Sequence, residues 1–165
     1  MSNQTSGPAN LGQTIEDADV FRDCLPDSGA LIGIDAGTKT FGLALSDGLR
    51  MIASPLETIR RSKFTKDAER MMALIEANGV QGLVLGLPRN LDGTEGPRAQ
   101  SARALARNLN RLVEIPILLW DERLTTSEAE RMLIQADQSR KRRAEVIDKL
   151  AATLILQGAL DRLRQ

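Results

Sequence analysis

Apolar positions fall into short runs, helical stripes and one polar opening stretch, and this pattern predicts the elements. ALIGID at 30–35 is a short apolar run closing on a carboxylate, and FGLALSD at 41–47 reads as its antiparallel neighbour across the turn AGTKT. MIASPLETIR at 51–60 predicts a third, weaker strand, where Pro55 points to an edge or a bulge. Phe64, Ala68, Met71, Met72 and Ile75 recur at helical spacing over 63–77, and Asn78-Gly79 is the stop. GLVLGLP at 82–88 predicts a strand buried on both faces, and a helix follows over 97–112 with Pro97 in its first turn. IPILLW at 115–120 is a further buried strand that runs directly into Asp121-Glu122. Thr125 and Glu128 have capping-box spacing for a helix through Ile134, and a last helix is expected over 144–163 after the basic stretch SRKRR.

Three strands followed by alternating helices and strands predict an α/β protein, with a mixed five-stranded sheet flanked by helices. The opening stretch is polar and has no sustained period, so residues 1–29 read as an acidic, flexible tail ahead of a single domain at 30–165.

Composition narrows the chemistry. The chain of 165 residues has no histidine, which excludes His-based triads and His metal ligands and leaves carboxylates, hydroxyls and lysines as candidates. A single cysteine, Cys24, makes neither an internal disulfide nor a zinc site. No apolar run is long enough for a membrane span and the first residues lack a signal-peptide pattern, so the expectation is a cytoplasmic protein without membrane contact. Acids and bases balance at 22 each, but the first 29 residues hold five acids against one base, leaving the remainder net positive. Three Phe, one Trp and no Tyr offer few rings for base stacking, so contact with nucleic acid would be mainly to phosphate.

In an α/β sheet, functional groups collect beyond the carboxyl ends of parallel strands. Asp35 closes LIGI and Glu122 follows ILLW; taken singly, either is as well explained as a helix cap or turn carboxylate. Asp148 shares a helical face with Ala151, Ala152, Ile155 and Ala159, so its carboxylate is expected to point inward and to need a cation, a salt-bridge partner or the first-turn dipole. Three acids from separate segments would form an oxygen-rich site suited to Mg²⁺ or Mn²⁺, which serves phosphoryl transfer without a His base. Around them, Lys39 and the Gly37-Thr38 turn, Arg123, and the cluster Arg140, Lys141, Arg142 and Arg143 are candidates for nucleic-acid phosphates. Arg103, Arg107 and Arg111 form a stripe at i+4 spacing that more often is simply a solvated face. Asp47 and Asp121 read as turn caps or as supporting carboxylates.

The segments GIDAGTKTFGLALSD at 33–47, VLGLPRNLDGTEG at 84–96, DERLTTSEAE at 121–130 and VIDKLAATLILQGALD at 146–161 closely resemble the YqgF-type proteins. That family is described as Holliday-junction resolvases and as nucleases processing the 5′ end of pre-16S ribosomal RNA. The resemblance spans about residues 30–161 and implies a ribonuclease H-like fold whose catalytic, metal-binding carboxylates fall on Asp35, Glu122 and Asp148. It also implies hydrolysis leaving 5′-phosphate and 3′-hydroxyl ends. The family's first motif usually has Arg and an aliphatic residue where this chain has Thr40-Phe41, so one phosphate contact is expected to be missing.

An ATP-dependent phosphotransferase of the actin and hexokinase type would also place Asp-x-Gly-Thr after a strand, but it needs two such domains. A non-catalytic nucleic-acid-binding ribosome-assembly factor is a second alternative, against which the intact acid triplet counts. Resolving a junction requires two active sites related by a dyad, and no dimer interface is evident, so a monomer acting on ribosomal RNA precursor is favoured over one acting on branched DNA.

Overall fold

The computed structural model describes residues 12–124 and 140–165, the span 140–148 by its backbone alone. A three-stranded meander forms one side of the sheet. Strands β2 (Leu31–Ala36), β3 (Thr40–Ser46) and β4 (Ala53–Arg60) run antiparallel in sequence order, and β5 (Gly82–Leu87) and β6 (Ile117–Asp121) join β2 in parallel. The full order is β1-β6-β5-β2-β3-β4. Pro55 sits where expected: β4 is an edge strand, and the register shifts between Leu43 and Ala44, with Pro55 opposite Ala44. The three antiparallel strands and two parallel ones, flanked by helices on both faces, make this the ribonuclease H-like α/β arrangement.

Strand β1 (Thr14–Ile15) is a correction to the five-stranded expectation, and with α1 (Ala18–Asp23) it corrects the view of this stretch as a flexible tail. Too few apolar residues occur here to show a period, yet they are well placed. Ile15 pairs beside Leu118 and Phe21 is completely buried, joining Leu118, Leu160 and Leu163 in one core. Asp17 caps α1 by accepting from the amides of Asp19 and Val20 at 2.8 and 3.3 Å.

Helices α2 (Phe64–Ala77) and α3 (Pro97–Asn110) cover one face, where Ile32, Ile34, Leu83 and Leu85 meet Met71, Leu105 and Leu109. The other face carries α4 (Arg140–Leu163), whose Ile155, Leu156 and Ala159 pack on Leu31, Val84 and Trp120. Gly33 allows this approach, since a Cβ there would stand 2.7 Å from Leu156 Cβ and 2.9 Å from the Ala152 carbonyl. Helix α4 starts earlier than the predicted 144, because the run Arg140–Arg143 contains good helix formers and no breaker. Among the described residues no helix is long and apolar enough to cross a membrane. The predicted helix from Thr125 through Ile134 lies outside the described residues.

Candidate active site

Strands β2 and β6, parallel to one another on either side of β5, bring acids to one end of the sheet. Asp35 is the penultimate residue of β2 and is 9% exposed, on the same face as Gly33 and hence toward α4. Glu122 opens a 3₁₀ turn, Glu122–Leu124, directly after β6. Its carboxylate folds back over β5: a Cβ on Gly86 would come within 2.8 Å of Glu122 Oε2 and 2.6 Å of Ile155 Cδ1. A side chain at position 86 would take that space, so the glycine inside an otherwise apolar strand holds the carboxylate's seat open.

Electrostatics confirm that the two acids are neighbours. Burial first, and then the negative charges of Asp35 and Asp121, push the Glu122 carboxyl up to about 7 against the opposing positive charge of Arg98. Arg98, in the first turn of α3, reaches over the sheet edge. Its Nη2 is 3.9 Å from Asp35 Oδ1 and donates to the Ala36 carbonyl at 3.4 Å. No pattern in the sequence singles out Arg98 or Gly86. The usable signals were a glycine interrupting GLVLGLP and an arginine beside the helix-starting Pro97.

The backbone of α4 carries Asp148 one turn before Ala152, whose carbonyl faces Gly33, two residues before Asp35. The Asp148 side chain lies outside the described residues, as do those of Arg140, Lys141, Arg142 and Arg143. The cluster 140–143 forms the first turn of α4 rather than a segment preceding it. Among the described residues no group of three or more metal-ligating side chains comes together; Asp35 and Glu122 supply two hard carboxylates.

Other candidates resolve individually. Lys39 is exposed in the β2–β3 turn. The Gly37 amide donates to the Thr40 carbonyl at 2.9 Å, so that group closes the turn rather than facing a ligand. Arg123 is paired with Asp121, Nη2 to Oδ2 at 2.7 Å, and donates to the Leu91 carbonyl at 3.4 Å. Arg103 leaves the expected stripe to bind Glu95 at 2.7 Å and Glu16 at 3.2 Å, and both contacts raise its pKa. Asp47 caps its turn, accepting from the Met51 and Ile52 amides at 2.8 and 2.9 Å.

A family profile described as "RuvX: Holliday junction resolvase" matches residues 29–162. A relative from Paracoccus denitrificans (strain Pd 1222) is 62% identical over 149 residues, covering 90% of this chain and 94% of the relative. One from Cereibacter sphaeroides (strain ATCC 17025) is 64% identical over 148 residues, covering 90% and 92%. Both bear the description "Putative pre-16S rRNA nuclease". Among solved structures, Thermus thermophilus RuvC in complex with a Holliday junction substrate matches with a TM-score of 0.47 and 15% identity, covering 77% of this chain and 91% of that one. The yeast mitochondrial Holliday junction resolvase Ydc2 matches with a TM-score of 0.46 and 16% identity, covering 89% and 85%. The family match over most of the sequence, with relatives at this identity over nine-tenths of it, settles descent: the chain belongs to the RuvX family and is a phosphodiester-hydrolysing nuclease.

Proposed function

We propose that this chain is a metal-dependent nuclease that trims the 5′ end of pre-16S ribosomal RNA, working as a cytoplasmic monomer, with Asp35, Glu122 and Asp148 holding Mg²⁺ or Mn²⁺. The observation that carries the reading is the Asp35–Glu122 pair. Two carboxylates share one partly buried place, and without a cation the second is held near neutrality. That is the electrostatic state expected of a donor set built for a divalent ion, and its all-oxygen chemistry suits Mg²⁺ or Mn²⁺ rather than zinc. Bound there, such an ion supplies the Lewis acidity that the chain's own side chains lack and lowers the pKa of water.

The remaining work falls to the protein. Asp35, fixed by β2, and Glu122, fixed by the 3₁₀ turn and the space over Gly86, set where the reacting phosphate lies. Arg98 stands beside both carboxylates with a half-exposed guanidinium, placed to donate to a non-bridging phosphate oxygen while it offsets the acids' repulsion. Ile155 walls the inner side and limits water.

Substrate choice rests on the description carried by the relatives from Paracoccus denitrificans and Cereibacter sphaeroides. The family's description favours a second reading, cleavage of four-way DNA junctions, which needs two sites related by a dyad. End-labelled precursor 16S RNA and a labelled four-way junction, each incubated with Mg²⁺, Mn²⁺ or EDTA, separate the two. Metal-dependent cutting of the RNA, lost in Asp35→Asn, is the expected result. Cutting of the junction alone selects the second reading, and a folded protein that binds RNA and cuts neither is an assembly factor.

A further inference from the structure

Many of the described arginines are held in ion pairs, and those left unpaired elsewhere do not cluster along the chain as the β4–α2 junction does. Arg70 is bound to Glu57, Arg89 and Arg103 to Glu16 and Glu95, Arg123 to Asp121, Arg162 to Asp19 and Arg164 to Asp161. The junction from β4 into α2 is different. Its sequence Arg60-Arg61-Ser62-Lys63-Phe64-Thr65-Lys66 carries four exposed cations and no acid. None of the four forms an ion pair among the described residues.

The junction is also held firmly against the active-site end of the sheet. The Arg61 amide donates to the Lys39 carbonyl at 2.9 Å, which ties it to the turn that starts two residues after Asp35. The Arg61 guanidinium lies 4.5 Å over the Phe41 ring and donates to the Gly37 carbonyl at 2.6 Å. The nearby acid Asp67 is buried and turned inward, accepting from the Ser62 amide at 3.1 Å and from its hydroxyl at 3.0 Å. It therefore braces the backbone rather than cancelling the ridge's charge. Lys39 adds a fifth cation, and Arg98 continues the line to the acids.

We propose that Arg60, Arg61, Lys63 and Lys66, with Lys39, form the track that binds the sugar-phosphate backbone of the substrate strand beside the scissile bond. In a chain with no net charge, five unneutralised cations on one braced ridge give the local field that a phosphate backbone needs. The inference rests on the nuclease reading above for the site it leads to, and it names a surface distinct from the 140–143 cluster.

The test is fluorescence anisotropy of a labelled single-stranded RNA with the full chain in EDTA over a range of salt concentrations. Two double variants remove the same charge: Arg60→Gln/Lys63→Gln on the ridge, and Arg107→Gln/Arg111→Gln on the exposed side of α3 and its end. Each backbone phosphate contact contributes roughly 0.7 to the log–log salt slope of a single strand. The ridge variant is expected to lose about 1 or more of that slope and about ten-fold in affinity at low salt, while the α3 variant keeps both nearly unchanged. Equal losses in the two variants, or no loss in the ridge variant, overturn the proposal, as does a wild type without salt-dependent binding. Cleavage assayed in parallel keeps the two readings apart. Metal-dependent cutting with an unchanged ridge slope sinks the track alone, and ridge-dependent binding without cutting sinks the nuclease reading alone.

Discussion

Glu122 rests its carboxylate on the backbone of Gly86, with Oε2 2.8 Å from where a Cβ would stand. Strand β5 thus contributes to the site by lacking a side chain. Gly86→Ala would press the new methyl on both Glu122 and Ile155 Cδ1, which is only 2.6 Å away. Overpacking of this kind costs about 1–3 kcal/mol, and a displacement of about 1 Å in a catalytic group lowers rate by roughly 100-fold. Thermal melts and cleavage rates are expected to show a modest fall in stability with a disproportionate loss of activity. A variant with full activity would show that the carboxylate has another seat.

The raised Glu122 pKa has a defined consequence for stability. The folded chain keeps this proton up to about 7, whereas the unfolded chain releases it near 4.5. Between those values the native state binds more protons, so the contribution is fully present below about 4.5 and is lost as pH rises through about 7. Urea denaturation in EDTA, comparing wild type with Glu122→Gln, isolates it. The variant is expected to gain on wild type progressively over that window, and added Mg²⁺ is expected to stabilise wild type above it. A pH-independent difference would mean that Glu122 titrates normally.

Arg98 is the cation that opposes the shift on Glu122 and lies 3.9 Å from Asp35. Arg98→Ala should therefore raise the Glu122 pKa further, visible by carboxyl-carbon NMR, and should slow cleavage by roughly 100–1,000-fold by analogy with the loss of a transition-state donor. Arg98→Lys keeps the charge and is expected to restore the pKa while recovering only part of the rate. If Arg98→Ala cuts like wild type, the guanidinium has no role at the phosphate.

Phe21 separates a flexible tail from a folded element. It is fully buried in the core beneath α4, so Phe21→Ala is expected to cost about 3–5 kcal/mol, measured by chemical denaturation. A tail residue would cost nothing.

The strands and helices were legible wherever burial imposes a period. Residues 30–35, 82–88 and 115–120 announce strands because both faces are covered, and the helix over 63–77 shows its stripe because one face alone is covered. The element at Thr14–Asp23 was not legible, since two buried side chains, Ile15 and Phe21, are enough at a sheet edge but too few to make a pattern. A sequence displays charges without their partners, so neither the stripe containing Arg103 nor the phosphate candidate Arg123 showed its ion pair; folding brings Glu16 and Glu95 to the first and Asp121 to the second.

By itself the sequence determined the order of elements, the α/β class, the absence of histidine chemistry and the acids at the strand ends, all of which follow from local composition and periodicity. Only the tertiary structure decided that Asp35 and Glu122 share one environment, that Gly86 leaves room for the second, and that Arg98 rather than Arg123 faces the pair. Those relations join residues dozens of positions apart, and they depend on which strands are neighbours and on which cations the fold has already neutralised.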